Sequence, residues 1–174
     1  MYFFLKKILF TGMLLFRSCV VFCQSSVETD ESKADYLRFP HVPMFTLLKG
    51  DGTSFTDKDV PQNKKLLVMF FSTDCGFCQV ETDSIKVSMT SLDQVEIVMV
   101  TFDTQDKITT FEKTNDLLKY KNLVVGRDVK YFFIPFYEIT ATPFLALYDS
   151  NGKYLTSFRG IVPIRKIIDS FKSP

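Results

Sequence analysis

The sequence predicts an α/β fold, with a central mixed β-sheet and helices on both of its faces. Apolar runs of strand length alternate along the chain with stretches of helical periodicity. Two turn signals, Asp51-Gly52 and the segment 149–152 (DSNG), each lie between two short apolar runs, which is typical of a β-hairpin. The composition, 46% hydrophobic and 15% aromatic, is ample for a buried core. We therefore expect one folded domain with appended segments.

The first half of the domain reads as a hairpin followed by a β-α-β unit. Residues 44–56 (MFTLLKGDGTSFT) predict the N-terminal hairpin. The apolar run 65–71 predicts a central strand that is covered on both faces. Residues 75–92 have roughly helical apolar spacing and no Pro or Gly after Gly76, so they predict a helix. Residues 95–102 (VEIVMVTF) predict a second buried strand.

The second half continues the alternation and closes with a hairpin and a helix. Residues 104–118 predict a helix, and 122–125 predict a short strand. Residues 144–148 and 154–158 flank the second turn and predict a hairpin. The final segment 163–171 (PIRKIIDSF) has helical apolar spacing and a proline in its first turn, so we expect a closing helix.

The N-terminus differs from the rest of the chain and predicts export. Residues 1–23 carry three basic residues and no acidic one, and their apolar stretch 8–16 is too short to span a bilayer. This pattern favours a signal peptide, with a retained membrane anchor as the alternative. Residues 24–39 are polar and acidic without periodicity and are expected to form a flexible tether. The folded domain is expected at 40–174.

Cleavage would leave a single pair of thiols. The segment contains Cys19 and Cys23, so the mature chain would keep only Cys75 and Cys78. Cleavage would also remove three positive charges, so the net charge would change from +1 to −2. This charge gives no reason to expect nucleic-acid binding. Export implies an oxidising compartment, and we expect the protein in the periplasm or anchored in the membrane and facing it.

The Cys75–Cys78 pair can be interpreted in three ways from the residues alone. Structural zinc takes four ligands, and beyond these cysteines the mature chain offers one histidine, His41, and no third thiol. A copper site of the two thiols and His41 has no further support. A structural disulfide across so short a loop would restrict the unfolded chain little. No metal site is therefore expected.

Electron exchange suits the position of the pair best. The cysteines follow a central strand and begin a helix, where free backbone N–H groups and the helix dipole stabilise a thiolate. We expect Cys75 to be the exposed nucleophile and Cys78 the buried resolving thiol. Gly76 lets the chain enter the helix tightly, and Phe77 supplies an apolar contact surface.

The segment CGFC after LLVMFFSTD resembles the active site of thioredoxin-like proteins, and the resemblance extends from about residue 43 to 171. A second motif, ATPFLALYDSNGKYL, is similar to the strand that follows the family's cis-proline. The resemblance implies a thioredoxin-like fold in which Thr142 and a cis Pro143 face the cysteine pair. Together with Gly76 and Phe77 they are expected to contact the substrate. It implies no cofactor.

The chain is most similar to the exported, membrane-associated thiol–disulfide oxidoreductases, including those that serve cytochrome c maturation. That branch has an N-terminal hairpin and a glutamate three residues beyond the second cysteine, which is Glu81 here. The resemblance implies that this carboxylate lies near the thiols and tunes their protonation; the alternative is a solvated helix glutamate. It also implies protein thiols or disulfides as partners, a membrane electron donor and a reductant role.

Three positions depart from classical thioredoxin and argue against its cytosolic role. Met69 replaces a buried aspartate, Asp74 replaces a tryptophan, and Asp83 lies near the place of a missing proline. The Asp74 anion would oppose formation of the Cys75 thiolate if it pointed inward. The aromatic segment 126–139 is expected to pack in the core, with a partner-binding surface as the alternative.

Two other functions compete with the oxidoreductase. Thiol peroxidases of the peroxiredoxin type carry a Pro-x-x-x-Thr-x-x-Cys pattern. Counting back from Cys75, this chain has Ser72 in place of the threonine and Val68 in place of the proline. The proline is therefore absent. The other candidate is a non-catalytic binding module or metallochaperone that uses the groove around Pro143. The presence of both cysteines and of Thr142-Pro143 favours the enzyme.

Overall fold

A computed structural model describes residues 33–172 of the chain and confirms the α/β class. In this part of the chain a seven-stranded mixed sheet is flanked by helices on both faces. The strands are β1 Thr46–Lys49, β2 Ser54–Thr56, β3 Lys65–Phe70, β4 Val95–Thr101, β5 Leu123–Arg127, β6 Phe144–Tyr148 and β7 Tyr154–Arg159. The α-helices are α1 Asp35–Arg38, α2 Gly76–Val87, α3 Gln105–Thr114, α4 Phe133–Tyr137 and α5 Ile164–Ser170.

The sheet has the strand order β2-β1-β5-β4-β3-β6-β7. Strands β3, β4 and β5 are parallel, whereas β6 pairs antiparallel with β3 and β7 antiparallel with β6. The N-terminal hairpin of β1 and β2 joins the sheet through β5. Because β3 and β6 run in opposite directions, the end of β3 and the start of β6 lie at the same edge of the sheet.

Side chains of the central strands alternate between two hydrophobic cores, as expected for a sheet covered on both faces. Leu67 and Met69 of β3 pack in the core that also holds side chains of α2, α3 and α5. Leu66, Val68 and Phe70 pack in the opposite core with side chains of α1 and α4. All of these β3 side chains are buried, which confirms the prediction of a central strand.

The predicted helices end earlier than the apolar spacing suggested. Helix α2 ends at Val87, and a separate 3₁₀ turn covers Met89–Leu92. Helix α3 ends at Thr114, because Asp116 adopts a left-handed conformation with φ of 55° before the 3₁₀ turn Leu117–Lys119. Periodicity alone does not distinguish a continuous helix from a helix followed by such a turn.

Two short helices were not predicted. The tether prediction is wrong for residues 34–38, since Ala34 and Tyr36 are buried and the Tyr36 ring packs against Tyr137 and Tyr154. Helix α4 forms in the aromatic segment, where its buried side chains confirm the expected core packing. Both helices are of five residues or fewer, so tertiary contacts rather than local propensity stabilise them.

The predicted export segment 1–23 and most of the predicted tether lie outside the described residues. Within 33–172, no helix is both long and apolar enough to cross a membrane.

Strands β1 and β5 approach closely at Gly126, which gives a stability prediction. A Cβ atom added at Gly126 would lie 2.7 Å from Cβ of the fully buried Leu47. We expect Gly126→Ala to lower the free energy of unfolding by about 1–3 kcal/mol, because backbone or side chain must shift in a packed core. Denaturant unfolding of the oxidised protein measures this change.

The matched control is Gly76→Ala, where an added Cβ would meet none of the described atoms within 4 Å. It should leave the free energy of unfolding unchanged or slightly raised. Equal stability of the two variants would contradict the close approach of β1 and β5.

Candidate active site

The cysteine pair lies where β3 gives way to α2. Cys75 is the N-cap of α2, and its Sγ accepts a hydrogen bond from the backbone N–H of Cys78 at 3.1 Å. The two cysteines form a disulfide with their Cα atoms 5.2 Å apart. Cys78 is fully buried, whereas Cys75 is only partly buried. This arrangement matches the expected division into an accessible and a buried sulfur.

Thr142 and Pro143 lie opposite Cys75, across the same edge of the sheet. Their peptide bond is cis, as the resemblance implied. The Thr142 hydroxyl donates to Cys75 Sγ at 3.5 Å, and the Thr142 carbonyl oxygen lies 3.9 Å from the same sulfur. The Pro143 carbonyl in turn accepts from the N–H of Gly160 at 2.8 Å. Two motifs that are far apart in sequence therefore meet at one sulfur atom.

The residues between the cysteines face solvent. Gly76 is exposed, and the Phe77 side chain is 66% exposed although it is large and apolar. Exposed aromatic residues beside a reactive sulfur offer contact area to a partner protein. Both residues are thus exposed beside Cys75.

Glu81 is completely buried, so the alternative of a solvated helix glutamate is wrong. It lies three residues after Cys78 in α2, and this spacing places both side chains on one face of the helix. Its Oε2 accepts from the N–H of Val162 at 2.9 Å, whereas Oε1 has no hydrogen-bond partner among the described residues. Burial raises the pKa of the Glu81 carboxyl, and the bond from Val162 only partly offsets this.

Asp103 fixes the loop that precedes the cysteines, a role that the sequence analysis missed. Its Oδ2 accepts from the N–H of Thr73 at 2.7 Å and from the hydroxyls of Thr73, Thr101 and Ser72 at 2.9–3.2 Å. Burial favours the neutral acid, but these hydrogen bonds outweigh it and lower the pKa of Asp103. The available signal was an aspartate directly after a buried strand, at the edge that holds the cysteines.

Asp74 does not point into the site. Its carboxylate is 72% exposed and forms an ion pair with the Lys107 ammonium of α3. The hydrogen bond and charge of Asp74 raise the pKa of Lys107. The anion beside Cys75 therefore has a cationic partner that the sequence analysis did not anticipate.

His41 lies at the opposite edge of the sheet. It is exposed and forms an isolated β-bridge with Lys153, in the turn that follows β6. Pro143, by contrast, directly precedes β6, and Cys75 lies at that end of the strand beside Thr142. In the described part of the chain, no cluster of three His, Cys, Asp or Glu residues could hold a metal ion. A copper site built from both thiols and His41 is incompatible with this placement.

The chemistry open to this site is thiolate chemistry at Cys75. In the reduced protein the N–H of Cys78 and the hydroxyl of Thr142 would donate to a Cys75 thiolate, as they do to its sulfur here. The start of α2 adds the positive end of a helix dipole. Burial of Cys78 keeps its sulfur from external disulfides but within bonding distance of Cys75.

Comparisons with known proteins agree with this geometry. The family profile described as a thioredoxin-like domain matches residues 57–172. A curated relative, the "Thioredoxin-like protein" of Haemophilus influenzae, is 28% identical over 167 residues and covers 90% of this chain and 92% of its own length.

Solved structures are similar in fold. The thioredoxin domain of a thiol-disulfide oxidoreductase from Bacteroides vulgatus superposes with a TM-score of 0.63 at 20% identity, covering 76% of this chain and 96% of its own. A secreted disulfide oxidoreductase of Mycobacterium tuberculosis, described as homologous to Escherichia coli DsbE, has a TM-score of 0.60 at 17% identity and covers 74% and 94%. These likenesses confirm the thioredoxin-like fold.

The buried carboxyl of Glu81 gives a pH-dependent prediction. A raised pKa in the folded state means that its contribution to stability is present below the ordinary pKa of 4.5 and is lost as the pH rises through the folded-state pKa. Glu81→Gln keeps an acceptor for Val162 and removes the charge. We therefore expect this variant to gain stability relative to the wild type as the pH rises from 4 to 8.

Denaturant unfolding with the disulfide intact measures this difference. Asp83→Asn is the control, since Asp83 is an exposed acid of the same helix whose pKa is lowered rather than raised. It should show no gain with rising pH. Parallel pH profiles for the wild type and Glu81→Gln would contradict a raised pKa at Glu81.

Proposed function

The chain belongs to the thioredoxin-like domain family, and on that premise we propose that it is an extracytoplasmic thiol–disulfide oxidoreductase that reduces protein disulfides. One observation carries this proposal. A partly buried cysteine at a helix start is bonded to a fully buried cysteine and faces Thr142 and Pro143. This pairing of an accessible and a protected sulfur suits reversible exchange better than a permanent crosslink.

The proposed reaction begins with the reduced protein. The Cys75 thiolate attacks one sulfur of a partner disulfide, which forms a mixed disulfide and releases the other partner sulfur as a thiolate. The Cys78 thiol then loses its proton and attacks Cys75 Sγ, which closes the Cys75–Cys78 disulfide and releases the second partner thiolate. Two electrons pass to the partner, and the cycle leaves the oxidised form that the structure describes.

In this proposal Glu81 assists the second step. Cys78 is buried, so its deprotonation needs a nearby group that can accept a proton. Glu81 lies one helical turn further along α2, and its raised pKa brings it closer to the pH range in which thiols react. The Oε1 of this buried carboxylate has no hydrogen-bond partner within residues 33–172, which supports this assignment.

Substrate contact is assigned to both sides of Cys75. Phe77 and Gly76 lie exposed on the helix side, and Thr142 and Pro143 lie on the side of β6. A partner disulfide would enter between them, with apolar surface of the partner covering Phe77.

Export and a reductant role complete the proposal. Support comes from the composition of residues 1–23 and from the likeness to the secreted oxidoreductase of M. tuberculosis. In an oxidising compartment a reductant needs a source of electrons, which we assign to a membrane donor; its substrates would be protein disulfides, including haem-site disulfides of cytochrome c maturation.

The alternative functions have less support. The hydroxyl of Ser72, which would replace the threonine of a peroxidase, bonds to Asp103 at 3.2 Å. A non-catalytic binding module would have no use for a disulfide between sulfurs of such different exposure.

Trapping the intermediate tests the proposal. Cys78→Ser should form a stable mixed disulfide with a reducible protein substrate such as insulin, because the resolving thiol is missing. The adduct is expected to disappear on addition of dithiothreitol and is measured by mass spectrometry. The wild type should reduce insulin in the presence of dithiothreitol.

Cys75→Ser serves as the control. The remaining thiol of the pair, Cys78, is buried, so this variant should form at least tenfold less adduct at the pair than Cys78→Ser. Equal trapping by both variants, or none by Cys78→Ser, would count against the proposed exchange.

A further inference from the structure

We propose that Lys107 is a positioning residue for the nucleophile. It holds the Asp74 carboxylate away from Cys75 and so favours the thiolate form of Cys75. The inference rests on the proposed function only in taking Cys75 as the reacting thiol. No other described residue forms an ion pair with the residue that immediately precedes the cysteine pair.

The first step of the argument is the placement of Asp74. It is the residue next to Cys75, and an anion there would disfavour a thiolate at the helix start. In the structure its carboxylate is directed towards α3, where it meets the Lys107 ammonium. The unfavourable charge is thereby both neutralised and turned outward.

The second step is the rigidity of the loop that presents Asp74. Asp103 accepts from the backbone and the hydroxyl of the preceding residue, Thr73, and from the hydroxyl of Ser72. Cys75 N–H donates to the Ser72 carbonyl at 3.2 Å and completes a tight turn. The backbone on both sides of Asp74 is therefore fixed, so its side-chain rotamer is the freedom that Lys107 restricts.

The third step is the charge around Cys75. The loop 140–143 on the other side of the sulfur has no charged residue. Lys107 is the cation that pairs with Asp74 beside Cys75. The elements around Cys75 carry several charged groups. The loop holds Asp74, α2 holds Glu81, Asp83 and Lys86, Asp103 follows β4, α3 holds Asp106, Lys107, Glu112 and Lys113, and Arg159 ends β7.

An exposed ion pair contributes little to stability, so the expected effect concerns the thiolate. In Lys107→Gln, Asp74 is unpaired and free to turn towards the sulfur. We expect the pKa of Cys75 to rise and the rate of alkylation below that pKa to fall about two- to fivefold. In Asp74→Asn the rate should rise, and Lys107→Arg should restore wild-type behaviour.

The experiment measures the pH profile of iodoacetamide alkylation of the reduced full-length protein, with Cys75 identified by mass spectrometry. The double variant Asp74→Asn/Lys107→Gln separates two explanations. If Lys107 acts by positioning Asp74, Lys107→Gln shifts the profile less in the Asp74→Asn background than in the wild type. Equal shifts in both backgrounds would overturn the positioning role.

Lys119→Gln is the matched control. It breaks the Lys119–Asp116 pair, whose side chains are 52% and 70% exposed against 48% and 72% for Lys107 and Asp74. It should alkylate as the wild type does, and a Lys107→Gln profile that coincides with it would overturn the proposal. The readout needs no partner protein, so failure of the insulin trap with a shifted profile would reject the proposed function alone.

Discussion

The site depends on the junction between a buried strand and a helix start. Strand β3 is covered on both faces, so its end is fixed in space, and a short loop that Asp103 holds leads from it to Cys75, the N-cap of α2. The N–H of Cys78 bonds to the Cys75 sulfur, which satisfies a free donor of the helix and, in the reduced protein, would stabilise negative charge at the same atom. Helix capping and thiolate stabilisation are here one interaction.

The surroundings of two carboxyl groups near this junction shift their pKa values in opposite directions. Asp103 accepts hydrogen bonds from Thr73 and its neighbours, so its pKa is lowered and it remains charged to hold the loop. Glu81 accepts a single bond from Val162 in a fully buried setting, so its pKa is raised. One carboxylate therefore suits a structural role, and the other suits proton transfer.

The sequence predicted the parts of this arrangement that depend on local pattern. Apolar runs and turn residues predicted the buried strands and both hairpins, and so placed the cysteines at the end of a central strand. The placement of Thr142 against Cys75 came from family resemblance, since spacing along the chain says nothing about such a contact. Other parts depend on tertiary contacts between distant segments, which a single sequence does not display. These are the Asp74–Lys107 pair, the hydrogen bonds that Asp103 accepts from the loop before the cysteines, and the short helices α1 and α4.

The reduction potential of the Cys75–Cys78 pair tests the central claim most directly. The protein is equilibrated with dithiothreitol and glutathione buffers of known poise, and the thiol and disulfide forms are quantified by mass after alkylation. A reductase of protein disulfides should have a potential near about −270 mV, where thioredoxin-like reductants lie. A potential near about −120 mV would identify a disulfide donor and contradict the reductant role, and a pair that does not cycle would contradict electron exchange itself.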